Sequence, residues 1–488
     1  MNTNSAMNQT GWNDLLATVA SGVEVRTDSR AVEPGDVFVA IPGTVRDGGE
    51  FIPMALSRGA AFVVARSDTH WPADAGASLV LHDDPRKALG ELAAARFGTA
   101  SLPFPVAGVT GTNGKTTITY LLEHVINASG GRAGVVGTVE YRWPGHQEDA
   151  SHTTPDCLKL HALLAGMAKD GVTGAVMEVS SHALDQDRVA GVPFEVAAIT
   201  NVTQDHLDYH GDMEAYFQAK RRFFTTLLKD PAKAVINYDD AFGRRLLEEF
   251  PQALGYGLGS PGGLDAPRRA LRGRVVESSG RGLVMEMTLD GRRWNLASPM
   301  IGAFNASNLL TAQGMALNLG LPVSALQSLE TCSGAPGRLE RVQNDKGLSV
   351  FVDYAHTPDA LENVLQALRA LDFDRVVAVF GCGGNRDRAK RPLMARAVAK
   401  WADVAVLTSD NPRHEAPEAI MDDARPGLAN ARAVIEHPDR REAVRLALAE
   451  IGPRDVLLIA GKGHETYQQI GDVKHPFNDV LVVQELLA

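Results

Sequence analysis

Short apolar runs recur along the chain, and almost every one breaks off into glycine, polar or charged residues. The clearest span 104–109, 174–179, 196–199, 233–236, 348–352, 375–380, 404–408 and 456–460. Runs this rich in Val, Ile and Ala predict strands covered on both faces, as in parallel sheets. Between them, 116–128, 156–169, 213–224, 358–371 and 440–451 read as helices. The alternation predicts an α/β fold. In open sheets of this kind ligands bind beyond the carboxyl ends of the strands, where the polar clusters fall.

Two proline-bearing seams, Leu102-Pro-Phe-Pro105 and Ser333-Gly-Ala-Pro-Gly337, interrupt the pattern. With 488 residues, about three domains are expected. The seams place them at 1–102 (a smaller α/β unit), 103–336 and 337–488. A glycine- and arginine-rich stretch from Ser260 to Leu296 predicts β-hairpins late in the middle domain.

Composition narrows the class. A net charge of -11, with no basic stripe to offset it, argues against a nucleic-acid partner. Three scattered cysteines, Cys157, Cys332 and Cys382, form neither a disulfide framework nor a thiolate zinc site and fit a reducing compartment. Residues 1–10 lack the apolar core of a signal peptide, and no run approaches a membrane span. A cytoplasmic protein, monomeric and without a membrane span, is expected.

The chemistry concentrates in Val106-Ala-Gly-Val-Thr-Gly-Thr-Asn-Gly-Lys-Thr-Thr117, an apolar run, a glycine-rich turn and a helix start. Glycines let backbone amides close on phosphate oxygens, and a helix N-terminus adds a favourable dipole. Lys115 suits the terminal phosphates and the Thr116 hydroxyl a magnesium ion. Val109 stands where the general phosphate-loop pattern has its first glycine, so Gly108, Gly111 and Gly114 carry the turn. Glu178 ends the next strand and suits the magnesium of ATP, or caps the following helix. His206 lies in Asn201-Val-Thr-Gln-Asp-His-Leu-Asp-Tyr-His210 and could ligate a metal or bond within its turn. Lys220, alone on a helical segment, reads as a solvated side chain.

Four polar clusters follow strands in the last third: Asp353-Tyr-Ala-His-Thr-Pro358, Gly381-Cys-Gly-Gly-Asn-Arg-Asp387, Asp410-Asn-Pro-Arg413 and Gly461-Lys-Gly-His-Glu465. Gly381, Gly383 and Gly384 predict close backbone approach to a ligand. Arg386 and Arg413 suit carboxylates or phosphates gripped in fork geometry. Neither a serine nucleophile elbow nor a dinucleotide fingerprint after the first strand is present, which argues against serine acyl transfer and a dinucleotide cofactor.

Jointly, Gly111–Thr117, Glu178-Val-Ser-Ser-His182, Asn201 with Asp205-His206-Leu-Asp-Tyr-His210, Phe304-Asn-Ala-Ser-Asn308, Gly337-Arg338 and Asp353-Tyr-Ala-His356 resemble the Mur ligase family. Its members make amide bonds on the peptidoglycan precursor at the expense of ATP. Thr153-Thr-Pro155, Gly381-Cys-Gly-Gly384, Asp410–Arg413 and Gly461–Glu465 resemble the branch that adds meso-2,6-diaminopimelate to UDP-N-acetylmuramoyl-L-alanyl-D-glutamate. The likeness runs from about Thr27 to the C-terminal region. It implies a UDP-sugar-binding N-terminal domain, a central P-loop ATPase domain with a mostly parallel sheet, and a Rossmann-like C-terminal domain that binds the amino acid.

The resemblance also implies roles. Gly111, Thr112, Asn113, Gly114, Lys115, Thr116 and Thr117 would hold the ATP phosphates, with Asn305, Asn308, Arg338 and Asp353 as further nucleotide contacts. Thr116 and Glu178 would hold one Mg²⁺, and His206 a second. Lys220 matches the family's carbamylated lysine, which as a carbamate would join His206. The UDP-sugar dipeptide would meet Thr27, Ser29, Thr44, Val45 and Arg46, then His152, Thr153, Thr154, Ser180, Gln186 and Arg188. His152 stands where asparagine is expected. Diaminopimelate would meet Arg386, Asp410, Asn411, Pro412, Arg413, Gly461 and Glu465. Catalysis would fall to Lys115, Lys220, His206 and Arg338. The alternatives are the L-lysine-adding ligase of the same family, a folylpolyglutamate synthase-like ligase, and a P-loop switch that only binds and signals.

Overall fold

The computed structural model describes residues 3–43, 46–69, 71, 76–259 and 267–488. Two expected substrate contacts, Thr44 and Val45, lie outside the described residues, as does 260–266 of the glycine-rich stretch. The chain packs as two compact units, 1–271 with 311–326, and 272–310 with 327–488.

The first unit opens with four parallel strands, Val25–Arg26, Val37–Val39, Phe62–Ala65 and Ser78–Leu81. Alternation decides their faces. Val37, Val39 and Val64 pack with Trp12, Leu15 and Leu92 of the helices Thr3–Ala20 and Pro85–Phe97. Phe38, Val63 and Ala65 pack on the opposite face with Ile52 and Ala55.

Six parallel strands follow, in the order Leu254–Gly257, Ala234–Asn237, Phe194–Ile199, Val106–Thr110, Gly174–Glu178 and Ala133–Val136. Ala107 is in register with Val196 on one side and Val176 on the other. The strand Val106–Thr110 is buried throughout and lies at the heart of this sheet. Helix Lys115–Ala128 packs on it through Ile118, Leu121, Leu122 and Val125, one face at helical spacing. Helix Cys157–Lys169 starts at Asp156, whose carboxylate accepts the Lys159 N–H. Its buried His161 joins Thr99 and the Ala190 carbonyl. Burial holds that imidazole below its usual pKa, in its neutral form. Helix Met213–Arg222 ends two residues earlier than expected and passes into a π-helical turn, Phe223–Leu227, in which the consecutive Phe223 and Phe224 are both buried.

The second unit holds strands Gly282–Leu289 and Arg292–Ser298, paired antiparallel, with most of their antiparallel neighbour Arg269–Ser279. These are the hairpins that the glycine- and arginine-rich stretch predicts. A second sheet of this unit orders Ser349–Asp353, Val456–Ala460, Val376–Cys382, Val404–Ser409 and Val434–Glu436 in parallel, with Glu340–Arg341 antiparallel at one edge. The hairpin Tyr467–Ile470 and Val473–Pro476 follows.

Beneath that sheet lies a buried ion pair. Arg440, first residue of helix Arg440–Ala449, donates to both Asp479 oxygens at 2.8 Å, and both side chains are 0% exposed. Its remaining donors reach the carbonyls of Ser409 and Ala460, the ends of two strands. Asp479→Asn should therefore lower the unfolding free energy of this unit by about 3–5 kcal/mol, because it leaves a buried cation uncompensated. Urea denaturation followed by tryptophan fluorescence measures it; the double variant Arg440→Met, Asp479→Leu should recover much of the loss.

Candidate active site

The strand Val106–Thr110 ends at Gly111, whose φ of 138° belongs to glycine. A Cβ there would collide with the Thr200 hydroxyl, so the loop lies against the end of the strand Phe194–Ile199. Hydrogen bonds hold it there. Thr112 N–H donates to the Asn201 carbonyl at 2.8 Å, Asn113 N–H to Asn201 Oδ1 at 3.0 Å, and Thr200 Oγ1 to the Asn113 carbonyl at 2.6 Å. Thr203 N–H in turn donates to Thr112 Oγ1 at 3.0 Å. Gly114 caps the helix in the left-handed region, and the chain turns into Lys115–Ala128. The result is a rigid backbone cradle at a helix N-terminus, the geometry that accepts phosphate oxygens.

Two lysines converge on it. Lys115 Nζ donates to the carbonyls of Gly111 and Thr112, each at 2.9 Å. Lys220 Nζ donates to the same Gly111 carbonyl at 2.9 Å. The expectation of a solvated Lys220 is overturned: the residue is 1% exposed, turned inward between the loop and the Tyr216 ring. Burial, and then the charge of Lys115, drive its pKa well below the lysine range. A buried amine held neutral is nucleophilic.

Glu178 is the last residue of its strand and is buried. Thr116 Oγ1 donates to Glu178 Oε2 at 3.1 Å, and Thr138 donates to both oxygens, its N–H at 2.7 Å and its hydroxyl at 3.0 Å. The helix-cap role falls to Ser180, whose Oγ accepts the Ala183 N–H. His206 adopts φ 52° and is half-exposed beside Asp205. Burial, then the Lys115 charge, lower its pKa against the pull of Asp205. The imidazole is therefore neutral at physiological pH, the form that binds metal ions.

The expected sugar-peptide contacts of the middle domain come together beside Glu178. Thr153 Oγ1 lies 3.1 Å from Thr138 Oγ1, and Thr154 Oγ1 donates to the Glu178 carbonyl at 2.8 Å. Ser180 N–H donates to Thr154 Oγ1, and Arg188 reaches the Thr154 carbonyl and Gln186. His152 is exposed, its ring beside neighbouring Ser151. In the first sheet, Thr27, Ser29 and Arg46 lie on segments following Val25–Arg26 and Val37–Val39, the carboxyl ends of two parallel strands. Ser29 is buried against Met54, and Arg46 lies over the Phe51 ring.

In the second unit, Asn305 and Asn308 are buried on their helix, where Asn305 donates to the Ile301 carbonyl and accepts from Asn308. Arg338 stacks over Tyr354, and Asp353 accepts the N–H groups of Leu339 and Ala355. Loops at the carboxyl ends of three adjoining strands hold the expected amino-acid contacts. Asn411 Nδ2 donates to Glu465 Oε2 at 2.8 Å, and Gly461 is crowded by Asp410 Oδ2. Arg413, at φ 52°, donates from Nη1 to the Gly384 carbonyl at 2.7 Å, and its backbone exchanges bonds with Gln469 and Gly471. Arg386 is exposed.

A Cβ on Gly381 would strike the backbone of Thr408 and Asp410, and one on Gly384 the Pro412 carbonyl. These two glycines are required by the neighbouring loop of the chain itself, while Gly383 faces the Arg413 and Arg386 side chains. Sequence reasoning missed Thr138, Thr200 and Lys462. All three stand just beyond apolar runs, at 133–136, 196–199 and 456–460, and were open to the strand-end rule; what they bond to needed tertiary neighbours.

Comparison with known proteins matches three family models in order along the chain: "Mur ligase family, catalytic domain" over 23–97, "Mur ligase middle domain" over 109–316, and "Mur ligase, glutamate ligase domain" over 337–463. A UDP-N-acetylmuramoyl-L-alanyl-D-glutamate–2,6-diaminopimelate ligase of Lawsonia intracellularis is 52% identical over 463 residues, 94% of this chain and 95% of the relative. A solved structure of a ligase of that name is 36% identical with a TM-score of 0.71, covering 96% of this chain and 94% of the other. Folylpolyglutamate synthase of Mycobacterium tuberculosis, solved with ADP, shares the fold at 21% identity and a TM-score of 0.60, over 78% of this chain and 92% of its own. With three models in sequence and half of all positions shared along nearly the whole length, the chain belongs to the Mur ligase family.

Proposed function

We propose that this protein is an ATP-dependent ligase that adds meso-2,6-diaminopimelate to UDP-N-acetylmuramoyl-L-alanyl-D-glutamate in cytoplasmic peptidoglycan precursor synthesis. ATP phosphorylates a glutamate carboxylate, the diaminopimelate amine attacks the acyl phosphate, and phosphate leaves. The observation that carries the proposal is the convergence of Lys115 and Lys220 on the Gly111 cradle, beside Glu178 and the Thr153–Thr154 segment. A carboxylate and a polyphosphate repel, and such a site must supply fixed cations and donors where both meet. The 52% identity to a diaminopimelate ligase favours that substrate over L-lysine or a folate. Three domains bounded near 102 and 336 accompany this reading.

Thr116 and Glu178 fit one magnesium ion, and His206 a second. Among the described residues no three His, Cys, Asp or Glu surround one point, which suits an ion that takes one or two protein ligands and fills its shell with phosphate oxygens and water. When bound, Mg²⁺ neutralises charge on the transferred phosphoryl group. Lys115 contributes a fixed cation to the same group, and the Gly111–Thr117 amides orient it. ATP hydrolysis that requires both the UDP-muramyl dipeptide and meso-diaminopimelate tests the whole reading.

Three outcomes are expected. Lys115→Ala should lower kcat by on the order of a hundredfold or more with the fold intact, as judged by circular dichroism. Lys220→Ala should lose activity that acetate or another short carboxylate partly restores, because the neutral buried amine is poised to take up CO2 as a carbamate. Mass spectrometry of the native protein in bicarbonate should then find one added carboxyl group on Lys220. Arg413→Ala should lose most activity with diaminopimelate and much less of that with L-lysine. The two amino acids differ by one far carboxylate, and an arginine left unpaired by lysine discriminates by about 2–5 kcal/mol. Competition assays of kcat/KM for the two amino acids measure this.

A further inference from the structure

Lys462 is 0% exposed, yet its ammonium lies among the very groups expected to meet the amino acid. Its Nζ donates to Glu465 Oε2 at 3.0 Å and to Asn411 Oδ1 at 3.1 Å, and lies 3.7 Å from Asp410 Oδ1. Asn411 Oδ1 also accepts the Gln469 N–H at 2.8 Å, and Gln468 Nε2 donates to the Asp410 carbonyl at 2.7 Å. Lys462 is therefore the junction between the loop 410–413, the turn 461–465 and the hairpin Tyr467–Pro476.

Charge explains why a cation is needed there. Asp410 and Glu465 converge from two strand ends, and like charges that close repel strongly in a desolvated site. Arg440 lies below them with its charge committed to Asp479. Cys382, Tyr354 and Tyr467 are further titratable groups near the pair. Counting Lys462, Arg440, Asp410, Glu465 and Asp479, two cations face three carboxylates.

We propose that Lys462 is a positioning residue for the amino-acid substrate, holding Asp410, Asn411 and Glu465 in the arrangement that receives its ammonium group. This rests on the reading of these loops as the amino-acid pocket. Its side chain is buried beneath the loops, so it acts through the residues it orients.

The test is Lys462→Met, assayed with each substrate varied in turn. The expected result is a rise of about tenfold or more in KM for meso-diaminopimelate, with KM for ATP and for the UDP-muramyl dipeptide within about twofold of wild type and kcat changed less than KM. Lys462→Arg, which keeps the charge, should recover most of the loss. An unchanged KM for diaminopimelate overturns the proposal, as does a uniform rise of all three KM values accompanied by a lower melting temperature. Should Lys462→Met fail to fold, Lys462→Gln takes its place; if neither charge-free variant folds, the lysine is a structural brace and the proposal falls. Wild-type enzyme that does not use diaminopimelate would instead refute the ligase reading, a result separable from the variants' behaviour.

Discussion

One carbonyl oxygen, that of Gly111, accepts from two lysines, and the chemistry of the first unit is organised around it. Two ammonium groups cannot share one buried acceptor at full charge; the more buried amine gives up its proton. Lys220 is the more buried of the two, and burial, then the charge of Lys115 at the helix start, drives its pKa well below the lysine range. The same glycine permits the arrangement, since its missing side chain is what allows Thr200 and the loop to lie together. Strand register, loop conformation and amine protonation are thus one constraint seen at three levels.

Most of the fold was legible because its strands are near-continuous apolar runs. The run 456–460 coincides with its strand, and the others differ by a few residues at their ends. The helix starts were legible where a side-chain cap precedes them, as at Asp156 and Thr357. The π-helical turn at Phe223–Leu227 was not, because it comes from burying two adjacent aromatic rings rather than from any local signal.

The site was legible in unequal parts. Its phosphate loop and Glu178 announce themselves as polar residues at strand ends. Lys220 does not: on its helix it reads as any surface lysine, and only the loop 109 positions earlier makes it a buried amine. The glycines 381 and 384 were ambiguous for a related reason. A glycine states that something approaches closely, and sequence alone cannot say whether it is a ligand or, as here, the backbone of Thr408 and Pro412.

The second unit meets the opposite electrostatic problem with a similar device. Where the first sets lysine amines and backbone donors around a cradle, the second brings the carboxylates of Asp410 and Glu465 around a buried lysine. In each, one buried lysine lies among loops from neighbouring strands, and its company differs: burial and then Lys115 drive the Lys220 pKa well below the lysine range, whereas carboxylates flank Lys462. A protein that must make an amide from an anion and an ammonium needs both environments. The parallel sheets supply them in the same way, by delivering loops from neighbouring strands to one edge.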